Sequence, residues 1–203
     1  MSFVNTFDLV GDEALTNSII DRSITEIADN LVTSIGDYAF RGCSALTTAD
    51  FPAVTRIGDS AFNECSALTT ADFPVATSIG IGGFYGCSAL TTADFPVATS
   101  IGQNAFNKCS ALTTADFPVA TSIGDTAFQN CSKLIAVILR SETMCTLSNT
   151  NAFTNTPIKS GTGYIYVPRA LVDSYKAATN WSTYANQFRA IEDYPDICGG
   201  ESA

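Results

Sequence analysis

The chain has 203 residues, 46% of them hydrophobic, enough to bury a sizeable core in one elongated domain. Its formal net charge of −10 removes the main electrostatic term of phosphate-backbone binding, which excludes nucleic acid as an expected partner. It has no histidine, and that removes Ser-His-Asp and Cys-His catalysis together with most catalytic zinc sites.

Residues 1–34 read as an N-terminal cap with a degenerate repeat. Met1 to Ile20 contain no Lys or Arg and are interrupted by Asp8, Asp12 and Glu13, which is not the pattern of a signal peptide. The expectation is a chain made without a leader, or one from which a leader was removed. No apolar run approaches membrane-spanning length, so no membrane insertion is expected. Phe3, Val4, Phe7, Leu9 and Val10 give a strand-like beginning, and Ser23-Ile24-Thr25-Glu26-Ile27 alternates like a half-buried strand.

From Ile35 to Arg140 one unit is written five times. Ile-Gly pairs recur at Ile35, Ile57, Ile79, Ile101 and Ile123, a constant step of 22 residues. The same step carries Phe40 to Phe128, Cys43 to Cys131 and Leu46 to Leu134. A fixed period in the twenties is the signature of a solenoid, whose units bury their apolar edges only against their neighbours. Within a unit, Ala49 and Phe51 alternate with Thr48 and Asp50, the period of a strand that Pro52 ends for want of an amide hydrogen. Ala53 and Val54 lead back to Ile57, and Gly58 is expected to supply a backbone angle closed to other residues. Ala61, Phe62 and Cys65 then suit a short helical turn.

The run Ile57-Gly58-Asp59-Ser60-Ala61-Phe62-Asn63-Glu64-Cys65-Ser66-Ala67-Leu68 resembles the BspA-like, or treponemal-type, leucine-rich repeat. The resemblance covers about half the chain as clear copies. It implies a leucine-rich-repeat solenoid of α/β class, a right-handed superhelix of stacked parallel strands with short helical turns. Two departures stand out. The second apolar strand position is Ala (Ala49, Ala71, Ala93, Ala115) where such repeats carry a larger aliphatic, and the third copy has Gly83 beside Gly82, which is expected to loosen that turn.

The fifth copy decays. Its strand reads Leu134 to Leu139, so the usual Thr and Asp sites become Ala136 and Ile138, an apolar pair that either the C-terminal part of the chain or a homodimer partner is expected to cover. Residues 141–168 form a degenerate sixth repeat in which Ala152-Phe153 restarts the motif and Gly163 to Pro168 supplies the strand. Residues 169–203 read as a helical C-terminal cap and tail: one helix over 169–178, and a second from Ser182 with Trp181, Tyr184, Phe188 and Ile191 on one face.

Neither catalysis nor a cofactor is expected. Ile79 to Gly83 belongs to a repeat turn and not to a phosphate-cradling loop. Cysteines 22 residues apart are not at zinc-ligand spacing, and parallel coils point neighbouring Cβ vectors the same way, so a column of buried thiols is expected. What remains is the exposed strand face: Thr48, Asp50, Thr70, Asp72, Thr92, Asp94, Thr114 and Asp116. Carboxylates stacked one strand apart repel by about 0.8 kcal/mol in bulk water, and salt with a Debye length of about 8 Å screens only part of that. Such a face solubilises an edge, or serves as an acidic platform for a basic protein partner or, more weakly, for calcium, for which no full oxygen shell is fixed.

The resemblance implies a non-catalytic protein-binding or adhesion module of a bacterial surface or secreted protein, attaching to host or neighbouring-cell proteins. The competing reading is a structural part of a larger assembly such as a phage tail-associated protein. An enzyme would need a site built from Asp and Thr alone.

Overall fold

A three-residue strand cannot satisfy its own backbone, so each copy of the unit needs another on either side. The computed structural model, which describes residues 22–199, stacks them accordingly. β1 (Glu26–Ala28) and β2 (Ser34–Ile35) begin a pattern that recurs as β3 (Thr48–Asp50) and β4 (Arg56–Ile57), β5 (Thr70–Asp72) and β6 (Ser78–Ile79), β7 (Thr92–Asp94) and β8 (Ser100–Ile101), β9 (Thr114–Asp116) and β10 (Ser122–Ile123), then β11 (Ala136–Ile138) and β12 (Thr146–Leu147). β13 (Tyr164–Val167) and β14 (Phe188–Ala190) follow. Pairing is parallel and in register: Asp50 faces Asp72, and Ile57 lies between Ile35 and Ile79. The even-numbered strands to β12 make one six-stranded sheet. The others make a three-stranded segment, β1-β3-β5, and a five-stranded one, β7-β9-β11-β13-β14, so the ladder is interrupted between β5 and β7.

The six-stranded sheet was not apparent from the sequence, where its two-residue strands pass for a return path. Exposed Thr residues help to hold the coils together, with Thr77 Oγ1 donating to Thr55 O at 3.0 Å and Thr69 Oγ1 to Thr47 O at 3.0 Å.

The corner between Ile and Cys is not a helical turn. Left-handed residues fall at the same two places in every copy, as Tyr38 and Gly42, Ser60 and Glu64, Gly82 and Gly86, Asn104 and Lys108, Thr126 and Asn130. They break the corner into successive tight turns and swing alternate amides along the stack. Phe40 N–H then donates to Ala61 O at 2.7 Å and Gly42 N–H to Asn63 O at 2.7 Å, which makes the corner a third ladder. Gly82 occupies a left-handed place (φ 62°) that suits it, and Phe62 N–H still reaches Gly83 O at 2.7 Å, so the third turn is hydrogen-bonded like the others and not loosened. The expectation for Gly58 is also corrected. Gly58 does not have a left-handed φ; it is there because an added Cβ would stand 2.7 Å from the backbone carbon of Gly36 in the preceding coil.

Inside, the side chains line up as columns. Phe62 and Phe84 stack at 5.2 Å between centroids, Phe84 and Phe106 at 5.4 Å, and Phe128 continues onto Phe153 of the sixth unit at 5.6 Å. A second column, Phe51 to Phe117, meets the first edge-on or tilted, as Phe73 does Phe84 at 6.0 Å. The cysteines are buried thiols, none of them in a disulfide. They are more than small hydrophobes, because Cys65, Cys87, Cys109 and Cys131 each donate a thiol hydrogen to a Phe carbonyl of the preceding coil at 3.0–3.1 Å. Burial pushes the Cys65, Cys131 and Cys145 thiols up to about 12, and Cys87 and Cys109 well above their ordinary range. Thiolate is the reactive form, so a thiol reagent that labels all seven cysteines in denaturant is expected to leave this column unlabelled in native protein. Rapid native labelling at Cys87 or Cys109 would contradict the packing.

At the N-terminal end, β1 pairs with β3 in the phase of the repeat, Glu26 facing Thr48. The strand expected from Phe3 to Val10 lies outside the described residues.

At the C-terminal end, the stretch read as a second helix contains a strand. Residues 181–187 form a 3-10 segment, and β14 then pairs with β13, Ile165 facing Phe188 and Val167 facing Ala190. Residues 169–190 therefore add one more coil to the sheet, with α1 (Pro157–Ser160) before it and α2 (Val172–Ala177) within it. Phe188 follows strand pairing and not helical spacing because a parallel edge was available. Tyr175, Trp181 and Tyr184 are buried and close the Phe column. Tyr184 meets Phe153 edge-on at 5.3 Å, Tyr175 Oη accepts from Cys145 N–H at 2.7 Å, and Trp181 Nε1–H donates to Cys145 O at 2.8 Å.

The apolar pair on the outer face has its cover. Ala136 and Ile138, 4% and 2% exposed, form a small cluster with Tyr166 and Cys198, against which Ile191 and Tyr194 pack. The covering segment runs to α3 (Pro195–Cys198) and belongs to the same chain. A homodimer contact through Ala136 and Ile138 is thereby corrected, since that surface is already filled.

Candidate functional site

The strand register decides what the outer face presents. One row runs Ala28, Asp50, Asp72, then Asp94, Asp116, Ile138, Tyr166 and Arg189; beside it run Glu26, Thr48, Thr70, then Thr92, Thr114, Ala136 and Tyr164. Strand neighbours are about 4.8 Å apart, so the carboxylates form a line and not a shell. Among the described residues no three His, Cys, Asp or Glu side chains converge on a point. Millimolar calcium is accordingly expected to leave the melting temperature unchanged, and a rise of several degrees would mean the row closes around an ion.

All eight residues singled out in the sequence lie on this face. Thr70, Asp72, Thr92 and Asp94 are exposed, while Thr48, Asp50, Thr114 and Asp116 are half-buried. The most exposed four flank the interruption between β5 and β7. Their hydroxyls differ from those of Thr69 and Thr77, which are engaged with the preceding coil.

Sequence reasoning missed what ends the row. Arg140 stands at the repeat position that Pro52, Pro74, Pro96 and Pro118 hold in the other copies, and that replacement was the available signal. Its side chain reaches back onto Asp116, with Nη2 to Oδ2 at 2.6 Å and Nε to Oδ1 at 3.3 Å. Beyond it the covering segment leaves a shallow recess walled by Asp94, Thr114, Asp116, Ile138 and Ile197. Partial burial pushes the Asp94 carboxyl above the usual range; the Asp116 charge adds to this, Arg140 opposes it and Asp72 contributes further.

The sign of that shift sets a prediction. A folded-state value above the ordinary 3.8 means that the native chain holds the proton longer than the unfolded one, so stability falls as pH rises through the interval and the cost persists at neutral pH. Asp94→Asn is expected to raise the melting temperature at pH 7 and to make no difference well below the ordinary carboxylate value. A lower melting temperature at pH 7 would show that the charge is favourably engaged.

The profile of the BspA type Leucine rich repeat region matches in six copies, over residues 11–134 and 55–166. The chain belongs to this family. Among solved structures, a leucine-rich repeat protein from Bacteroides ovatus is similar at 24% identity and TM-score 0.55, over 72% of this chain and 40% of its own. The Treponema pallidum leucine-rich repeat protein is similar at 24% identity and TM-score 0.52, over 70% of this chain and 75% of its own. The pneumococcal vaccine antigen PcpA gives TM-score 0.64 at 14% identity, over 82% of this chain and 41% of its own. The chain thus spans about two-fifths of the length of the Bacteroides and pneumococcal proteins. At these identities the likeness is one of fold. No match was found among curated proteins. BspA-type repeats are typically non-catalytic, and leucine-rich repeats generally mediate protein interactions. No helix among the described residues is long and apolar enough to cross a membrane.

Proposed function

We propose that this chain is a non-catalytic protein-binding module of a bacterial surface or secreted protein, used in adhesion, and that its partner docks on the face formed by Thr48, Asp50, Thr70, Asp72, Thr92, Asp94, Thr114 and Asp116. The observation that carries this reading is the division of labour among the threonines and aspartates. Those of the neighbouring corners are spent on the fold, as with Asp59 Oδ1 accepting Ile81 N–H at 2.8 Å, whereas Thr70, Asp72, Thr92 and Asp94 at the centre of this face are exposed on strands that the stacked coils hold in the phase of the repeat. A preorganised surface loses little entropy on docking, which suits recognition. The pneumococcal relative's description as a vaccine antigen supports a place outside the cell.

The test is capture. Immobilised protein is exposed to extracellular-matrix and cell-surface extracts, in parallel with a variant carrying Asp72→Asn, Thr92→Ala and Asp94→Asn. The expected result is a retained protein that the variant fails to hold. Retention of nothing, or equal retention by the variant, overturns the reading.

A further inference from the structure

We propose that the recess at the end of the acidic row receives a cationic segment of the partner, an arginine or lysine seated on Asp94 with an adjoining apolar side chain against Ile197. This rests on the reading that the strand face is the docking surface, and it names the chemistry of what docks.

The chain contains a worked example of the contact. Arg140 lays its guanidinium on Asp116 through two nitrogens, so the row already holds one cation in the geometry that a partner's arginine would adopt. One strand back, Asp94 makes no ion pair among the described residues: Arg140, which also borders the recess, is paired to Asp116 and only partly offsets the repulsion that Asp116 and Asp72 exert on the Asp94 carboxylate. An arriving cation would offset the desolvation and like-charge repulsion at that carboxyl. The same face also accepts polypeptide: residues 191–198 of this chain lie across its continuation, packed on Ile138 and Tyr166.

The apolar part of the site comes from that covering segment. Ile197 is 47% exposed at its edge and faces the recess that Asp94 borders. A carboxylate next to an exposed isoleucine matches an arginine or lysine flanked by a hydrophobic residue, whose aliphatic stem and neighbour lie on the apolar wall.

Charge excludes a second copy as the occupant. The chain carries a net −10, and its cations are dispersed, with Arg56, Arg169 and Lys176 paired to nearby carboxylates and Arg41 and Lys108 laid over tyrosine rings. No basic strip among the described residues complements the row, so two copies meeting there would repel.

The test uses the intact chain and defined peptides followed by fluorescence anisotropy: one with arginines flanked by leucines, one with the same arginines and no leucine, and one with glutamate for arginine. The arginine–leucine peptide is expected to bind, to weaken with added salt, and to lose about tenfold in affinity on Asp94→Asn. Ile197→Ser is expected to weaken the leucine-containing peptide and leave the leucine-free one unchanged. Asp173→Asn, at a remote exposed carboxylate, is expected to do nothing. No binding of the arginine peptides, equal binding of the glutamate peptide, or equal weakening by Asp173→Asn would each overturn the proposal. If the arginine peptides fail while the triple variant still loses its captured protein, the cationic segment is wrong and the docking face stands; if the variant keeps its captured protein, the docking face itself is wrong.

Discussion

Phe84→Ala is expected to lower the unfolding free energy by about 3–5 kcal/mol, a large part of what holds a domain of this size together. Phe84 is fully buried and touches rings on three sides, stacked on Phe62 and Phe106 and set against Phe73 and Phe95 of the second column. Removing it opens a void in the middle of both columns, and the neighbouring coils cannot close over it without breaking the register that their backbone ladders fix. In a solenoid each unit is stabilised by its neighbours, so the loss falls on two interfaces at once. Phe40, nearer the N-terminal end, has Phe62 as its one stacked ring among the described residues, and Phe40→Ala should cost less. Denaturant titration of both variants checks the order. Equal costs would mean that the columns fill space without coupling the units.

The period was legible because four unlike side chains, Ile, Phe, Cys and Leu, keep one step through five copies, and only stacking in register satisfies all four at once. The alternation of Thr48, Ala49, Asp50 and Phe51 also told which side chains face outward. Other features were hidden for physical reasons. Ser78–Ile79 is too short to show a strand period, and it becomes a strand only because the preceding and following coils supply the same two residues. The corner residues looked like the start of a helix because their apolar spacing fits one; the left-handed Ser60 and Glu64 that break it are not residues that announce a positive φ. The apolar pair Ala136 and Ile138 revealed that it must be covered, but its cover, Tyr194 and Cys198, lies more than fifty residues away along the chain, a contact that local spacing does not carry. The recess was out of reach for the same reason, being formed where Arg140 and Ile197 meet a row set by the repeats.

Gly102→Ala is expected to destabilise the molecule by about 3 kcal/mol or more, comparable to the loss of a core ring, by adding one methyl group. The glycines after Ile57, Ile79, Ile101 and Ile123 sit where two coils approach backbone to backbone. A Cβ on Gly102 would lie 2.6 Å from both the carbon and the oxygen of Gly80, and one on Gly124 would lie 2.5 Å from the nitrogen of Gln103. Those atoms are main chain and cannot rotate away. Relief requires the coils to separate, which stretches the Gly102 N–H to Ile79 O bond of 2.9 Å and its neighbours in the six-stranded sheet. Overpacking of side chains costs about 1–3 kcal/mol, and an obstruction that only backbone movement can relieve belongs at or beyond the upper end. Gly82→Ala supplies the contrast. Gly82 is left-handed at φ 62°, but its added Cβ would meet nothing nearer than Ser60 Oγ at 3.5 Å, and Asn104 and Thr126 take the same conformation in later copies. Its cost is one residue's conformational strain, about 1–2 kcal/mol. Thermal melts of the two variants separate the causes: Gly102→Ala should fall well below Gly82→Ala, with early amide exchange at Gly102 and Gly124. If Gly82→Ala proves the more damaging, conformational strain and not close packing of the coils is what these glycines relieve.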